Sequence, residues 1–143
     1  MENEAKNEGT QEKIGGMTFE QAEEVDMLNS KFFKPKTNIK YELGFGLIEK
    51  PDKTKAQYYL YEKMMPDYDD KTKEVKKVSL DIKIVSINGV EVNQVWSVLS
   101  PKLRNLFATY CDSPNFLKKF YIYKSTGEGK DKTHALSEGR ERV

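Results

Sequence analysis

The sequence has too few cysteines and histidines for several common kinds of site. Its 143 residues include one cysteine, Cys111, and one histidine, His134. A single cysteine excludes an internal disulfide and a cysteine metal cage, and we expect neither residue to be a nucleophile, a base or a metal ligand. Neither a phosphate-binding glycine loop nor the spaced carboxylates of a calcium loop are present. We therefore expect no cofactor, no bound metal and no enzymatic activity.

Long apolar runs are also missing from the chain. No stretch approaches the roughly 18 apolar residues that a membrane helix needs. The first 15 residues are acidic and polar, whereas a secretory signal is basic and then apolar. With 37% hydrophobic and 33% charged residues, the chain is polar but can build one hydrophobic core. These features predict a small cytoplasmic protein (in the host cytoplasm if it is viral) that has no contact with a membrane.

Charge is distributed unevenly along the chain. The segment Met1–Asn29 has eight acids and two lysines, and the remainder has 15 acids and 22 lysines and arginines. A basic body with an acidic tail is typical of proteins that meet polyanions, although a solvating tail on an ordinary domain has the same composition. Residues 1–16 contain almost nothing to bury, so we expect a disordered acidic tail.

A short amphipathic helix is predicted at 17–30. Thr18 and Gln21 fit a capping box, in which the two side chains close the first helical turn. Apolar residues recur every three positions, at Phe19, Ala22, Val25 and Leu28. This stripe indicates that the helix docks on the domain or on a partner.

After Pro35 the apolar pattern has a period of two, which indicates strands. The first strand, Ile39–Leu47, contains two glycines that indicate a bulge. Asn88-Gly89 predicts a tight hairpin, because both residues tolerate positive φ. Ser100-Pro101 predicts a helix start, with serine as N-cap and proline at the first helical position. Two further strands follow, separated by a glycine-containing turn.

Four of these elements together resemble a known family. They are the strand Ile39–Leu47, the hairpin Ile84–Trp96, the helix Pro101–Cys111 and the hairpin Lys118–Glu138. In this order they resemble OB-fold proteins that bind single-stranded DNA, including small ones carried by viruses and microbes. The resemblance implies an all-β domain with one helix, an OB-fold-like five-stranded Greek-key barrel over residues 31–138. The short N-terminal helix precedes it, and residues 139–143 are expected to be frayed.

The resemblance also implies a function. It predicts a protein that coats single-stranded DNA with little sequence preference during replication, recombination or repair, with RNA as a second possible ligand. Lysines would follow the phosphates and aromatic rings would stack on bases. The candidate nucleic-acid-binding residues are Phe33, Lys34, Lys36, Lys83, Trp96, Lys118, Lys119, Tyr121, Tyr123, Lys124, Lys130 and Lys132. The acidic N-terminal segment would compete with DNA for the basic surface or recruit replication or repair proteins.

The placement of several rings stays open. In a strict two-residue hairpin, Trp96 lies opposite Asp81 on a polar face, where it could stack on a base, whereas a bulge would move it into the core. Tyr121 and Tyr123 share a strand face with Lys119, and we expect that face to be exposed. The opposing interpretation is an edge strand protected by lysines.

Two other groups of rings bear on function. Lysines surround Phe32 and Phe33, which form either a flap over a groove or a buried entry to the domain. Tyr58, Tyr59 and Tyr61 must divide between the two faces of a strand, so at least one ring should reach solvent. The alternative function is a protein-interaction or assembly module that uses the helix at 17–30 and exposed tyrosines.

Overall fold

The computed structural model describes residues 16–142. Within them the protein is mostly β, with the helices α1 (Phe19–Asn29) and α2 (Pro101–Ala108). The strands are β1 (Tyr41–Gly46), β2 (Ile48–Glu49), β3 (Lys55–Ala56), β4 (Tyr59–Pro66), β5 (Glu74–Ile87), β6 (Val90–Val98), β7 (Lys119–Thr126) and β8 (Thr133–Glu141). A single 3-10 turn, Gly129–Asp131, separates β7 from β8.

The 14-residue strand β5 is the centre of an antiparallel sheet of six strands. One edge of β5 pairs with β4 and then with β1, while the other edge pairs with β6. Strand β1 also pairs with β7, and β7 pairs with β8. The resulting order is β6-β5-β1-β7-β8, with β4 beside β5 as an additional strand and α2 connecting β6 to β7. Strands β2 and β3 form a separate hairpin.

The sheet does not close into a barrel. In the described part of the chain, no ladder joins β6 to β8. The outer edge of β6 is instead paired with the segment Lys31–Phe33, which runs parallel to it. The amide of Phe33 donates to the carbonyl of Val95 over 2.9 Å, and the amide of Val95 donates to the carbonyl of Lys31 over 3.0 Å. The expected all-β class with few helices is confirmed, while the sheet is open.

Local chemistry sets the ends of the helices and the tight turn as predicted. The Thr18 hydroxyl accepts from the Gln21 amide over 3.0 Å, and the Gln21 side chain accepts from the Thr18 amide over 2.9 Å. The Ser100 hydroxyl caps α2 by accepting from the amide of Leu103. Positive φ angles at Asn88 and Gly89, 50° and 83°, form the β5–β6 turn.

The hydrophobic core lies between one face of the sheet, called here the inner face, and helix α2 with the loop after it. Its largest buried side chains are Tyr41, Leu43, Phe45, Ile82, Ile84, Trp96, Phe107, Phe116, Tyr121 and Tyr123. Phe45 stacks on Phe116 with ring centroids 4.8 Å apart and meets the edge of Phe107 at 5.8 Å. The outer face of the sheet is partly open to solvent.

Helix α1 is attached mainly by its C-terminal end. The side-chain amide of the buried Gln94 donates to the carbonyls of Met27 and Leu28, over 2.6 and 3.3 Å. The side chains of Met27 and Leu28 also pack against the core. Phe19 is 94% exposed and Val25 also faces solvent, so of the predicted apolar stripe Leu28 packs against the core while these two residues do not.

Strand β8 continues to Glu141, beyond the end expected from the sequence. The Arg142 guanidinium donates to the carbonyls of Phe45 and Leu117, and the Arg142 amide donates to the carbonyl of Lys118. These bonds hold residues 139–142, which we expected to fray. The predicted acidic tail, apart from Gly16, lies outside the described residues.

No helix between residues 16 and 142 has both the length and the apolar composition needed to cross a membrane.

Candidate functional site

A cleft opens where β6 ends and β8 begins, beside the N-terminus of α2. Its volume is about 600 Å³. Four lysines from three separate segments line it, Lys34, Lys102, Lys130 and Lys132. We call this surface the basic cleft. It exists because β8 does not pair with β6, so the two strand ends diverge.

Three aromatic residues form the floor of the basic cleft. Phe33 meets Trp96 edge to face with ring centroids 4.9 Å apart, and Trp96 meets Tyr123 in the same way at 4.7 Å. All three belong to the buried core, and Trp96 is only 4% exposed. Because the three rings are buried, they leave little exposed ring surface for a base to stack on.

One wall of the basic cleft carries a polar chain of three side chains. His134 Nδ1 lies 2.7 Å from the hydroxyl of Tyr123, and its Nε2 lies 3.4 Å from the hydroxyl of Ser100. Burial, followed by the nearby ammonium groups of Lys132 and Lys102, lowers the pKa of His134. The imidazole is therefore neutral at neutral pH and would gain a proton more easily beside an added anion.

The charge of the basic cleft is of one sign. Among the described residues, no aspartate or glutamate lines it. Lys102 stands in the first turn of α2, where the helix dipole disfavours a positive charge, and its ammonium group is 3.4 Å from the carbonyl of Lys130. A cluster of ammonium groups without a described carboxylate in the same cleft attracts anions.

An exposed ring stands at the rim of the basic cleft. Tyr68, in the β4–β5 loop, is 70% exposed. The ammonium nitrogen of Lys130 lies 5.8 Å from the centroid of its ring. A solvent-facing ring next to a lysine is the arrangement that a stacked base beside its phosphate requires.

Half of the residues predicted from the sequence come together in the basic cleft. They are Phe33, Lys34, Trp96, Tyr123, Lys130 and Lys132. The other lysines lie elsewhere. Lys36 forms an ion pair with Glu23 of α1 over 2.9 Å, and Lys83 lies beside Gly46 and Val95 on the outer face.

The lysines of β7 are also separated from the basic cleft. Lys118 and Lys119 stand at the start of β7, whereas the cleft lies at its other end. Lys119 is 3.8 Å from Glu138 of β8. Lys124 is exposed but does not line the cleft. We therefore do not place these three lysines in the candidate site.

The prediction that Tyr121 and Tyr123 face solvent is wrong. Both rings are buried, with 0% and 2% exposure, and Phe120 and Ile122 lie on the outer face. Both faces of β7 carry large apolar residues, so alternation alone could not decide which face is inside. The guanidinium of Arg140 covers the Phe120 ring at 4.6 Å from its centroid, which makes an outward phenylalanine tolerable.

Trp96 lies in the core, as the bulged alternative required. The β5–β6 ladder shifts register between Ile84 and Ser86, so Trp96 pairs with Ile82 rather than Asp81. One residue of slip moves a side chain to the opposite face. Trp96 and the two β7 tyrosines are therefore not stacking platforms.

Phe33 is buried and Phe32 is half exposed, so the segment Lys31–Phe33 is the buried entry to the domain rather than a free flap. Tyr59 and Tyr61 share the outer face, Tyr58 takes the other face, and each of the three rings is half buried.

Sequence reasoning missed Lys102 and Tyr68 and gave His134 no role. Lys102 had a detectable signal, because a lysine directly after Ser100-Pro101 opposes the dipole of the helix that they begin. Tyr68 had none, since it stands among the acids of a polar loop and reaches Lys130 only in the folded chain.

Comparisons of the chain with protein-family models, with curated proteins and with solved structures give no match. The geometry of the basic cleft is therefore the basis for a functional assignment.

Proposed function

We propose that the protein binds single-stranded nucleic acid, with the phosphates in the basic cleft. The observation that carries this proposal is the meeting of four lysines in one cleft that no described carboxylate lines. Lysine acts as a point charge on phosphate and does not read base edges. The expected ligand is therefore a strand of DNA or RNA bound with little sequence preference, as in the coating of single strands during replication, recombination or repair.

The shape of the basic cleft supports a flexible strand as its ligand. The rings of the floor are buried and offer little stacking surface, so in this proposal the bases turn outward, where Tyr68 stands at the rim. A single strand can bend its backbone into such a cleft because its bases are not paired. Proteins that bind single strands generally combine a positively charged groove along the phosphates with aromatic side chains on which the bases stack.

The order of the strands supports an OB-like origin for the fold. The strand order β6-β5-β1-β7-β8, with α2 between β6 and β7, is compatible with the five strands and one helix of a Greek-key OB barrel. In this proposal the protein is an open variant, in which Lys31–Phe33 occupies the edge of β6 that closure would use.

The proposal is tested by titrating a labelled 12-nucleotide strand, dC12, with the full protein at several salt concentrations. We expect binding that weakens as salt rises, because lysines release counterions from the strand. The triple variant K102Q/K130Q/K132Q should bind more weakly. The slope of log affinity against log salt should also fall in magnitude by about 2, because each of the three lost lysines contributes roughly 0.7 to it.

The matched control is K40Q/K76Q/K118Q, which removes the same charge from exposed positions outside the basic cleft. It should keep the wild-type salt slope. Equal losses in both triple variants would mean that only net charge matters, and no salt-dependent binding by the wild type would refute the proposal.

The alternative, a protein-interaction module, is favoured by one observation. Helix α1 buries none of its residues completely and exposes Phe19 and Val25. The two functions differ in the titration above, since an interaction module would show no binding of dC12. The variant F19S/V25S should leave strand binding unchanged if the basic cleft is the functional site.

A further inference from the structure

A second groove lies on the outer face, between β4 and the β2–β3 hairpin. Its volume is about 510 Å³. Tyr59 and Tyr61 form one wall, with ring centroids 4.6 Å apart and planes inclined by 15°. Ile48 and Pro51 of the hairpin border the same space. We call this space the tyrosine groove.

Residues of the neighbouring strand β5 hold the tyrosine pair in position. Tyr59 and Tyr61 share a face because they are two residues apart on β4. Their partners on β5, Asp81 and Ser79, are small, which leaves room for the rings. The Tyr61 hydroxyl donates to the Asp81 carboxylate over 3.1 Å, and the Ser79 hydroxyl donates to the same carboxylate over 3.0 Å.

Neither tyrosine contributes to the core. Both rings are outside the buried cluster and are half exposed. The core therefore does not explain why a stacked, anchored ring pair is placed here. A half-exposed aromatic ring of such a pair can stack on another flat ring.

The charges of the tyrosine groove differ from those of the basic cleft. Asp81 and Glu49 line it together with one lysine, Lys50. Two carboxylates disfavour a phosphate in this space. They suit a ring that carries N–H donors, because a carboxylate accepts from the amino group of cytosine.

One row of residues connects the two surfaces. Tyr59 pairs with Asp81, and Asp81 pairs with Ser97 on the other edge of β5. Ser97 lines the basic cleft. Because neighbouring strands are about 4.8 Å apart, Tyr59 is only about 10 Å from Ser97 across the sheet. A single nucleic-acid strand that leaves the basic cleft over Ser97 would therefore reach the tyrosine groove directly.

We propose that the tyrosine groove is a base-binding subsite. It stacks one amino-bearing base, such as cytosine, from the strand whose phosphates lie in the basic cleft. This inference rests on the proposed function and adds a contact that reads the base rather than the backbone.

The test compares dC12 with an abasic strand of the same length, using the full protein and the variant Y59L/Y61L. Leucine is compatible with strand β4 and keeps much of the apolar side-chain volume, but it removes the aromatic rings. We expect about 5- to 150-fold weaker binding of dC12, which is the value of one stacked base, with an unchanged salt slope. The abasic strand should bind the variant and the wild type equally, because it has no base to stack. F19L is the control, since it alters an exposed ring on α1 outside both surfaces.

A second measurement uses the wild type alone. Chemical nitration of Tyr59 and Tyr61, mapped by mass spectrometry, should be slowed by dC12 and not by the abasic strand. Wild-type binding of dC12 without such protection, or with an unchanged affinity in Y59L/Y61L, would overturn this inference and leave the proposed function standing. If the wild type binds neither strand, both fail.

Discussion

The basic cleft and the tyrosine groove lie at the two ends of the row Tyr59–Asp81–Ser97, yet they combine rings and charges in opposite ways. In the cleft the rings of the floor are buried in the core, and the charged groups that line it are the ammonium groups of lysines. In the groove the rings face solvent, and carboxylates stand beside them. The difference teaches that the number of aromatic residues near a lysine does not predict base stacking, because burial decides whether a ring face is free.

The sharpest way to break this comparison is to remove a ring from each surface and measure stability. W96A should lower the free energy of unfolding by about 3–5 kcal/mol, because it leaves a large cavity in the core. Y59L should lower it by about 1 kcal/mol or less, since this ring is half exposed on a strand. Urea denaturation followed by circular dichroism gives both values. Similar losses would show that the two rings do not differ in structural role.

A smaller effect concerns the pH dependence of the basic cleft. The lowered pKa of His134 leaves it neutral in the free protein at neutral pH. A phosphate in the cleft would raise this pKa, so binding would take up a proton and affinity would increase as the pH falls from about 8 to about 6. The increase should stay below about tenfold, the equivalent of one pKa unit.

The variant H134Q should lose most of this pH dependence while it retains binding at about pH 8, as measured by the same titration. A wild type without pH dependence would mean that phosphate does not approach His134. The tyrosine groove contains no histidine among its described lining residues, so Y59L/Y61L should leave the pH profile unchanged.

The smallest effect is expected from the acids of α1. Glu20, Glu23 and Glu24 border a third cavity, beside Lys36 and Tyr41, and none of them lines the basic cleft. At physiological salt, exposed charges beyond about 8 Å are largely screened. E20Q/E23Q/E24Q should therefore change the affinity for dC12 by less than about twofold. Much tighter binding would instead support competition between this segment and the strand.

Features set by local chemistry were predictable from the sequence. The capping box of Thr18, the tight turn at Asn88 and the start of α2 at Ser100 each depend on a few consecutive residues. The faces of β7 were not predictable, because Phe120 is covered by Arg140 of β8 and by Arg142, both of which follow it far along the chain. The position of Trp96 depended on a bulge in the β5–β6 ladder, and no residue pattern near the bulge marks it in the sequence.

The basic cleft was predictable only in part. Lys130 and Lys132 are close in sequence and were identified, as was Lys34, but Lys102 joins them only because α2 begins beside the open end of the sheet. Residues distant in sequence meet through topology, which composition does not specify. Lys118 and Lys119 had the right charge but lie at the end of β7 away from the cleft, and Lys124 is exposed without lining it.

The pairing of Lys31–Phe33 with β6 has a consequence for how the protein avoids self-association. A bare strand edge offers unpaired amides and carbonyls to any other chain. These three residues pair with that edge at Val95 through the protein's own backbone, and the Phe33 ring packs edge to face against Tyr41 and Trp96. The segment Lys31–Phe33 therefore shields this strand edge from other chains. Removal of the segment would expose backbone hydrogen-bonding groups of β6 and leave a cavity beside Tyr41 and Trp96, and both changes favour oligomers that form by strand exchange.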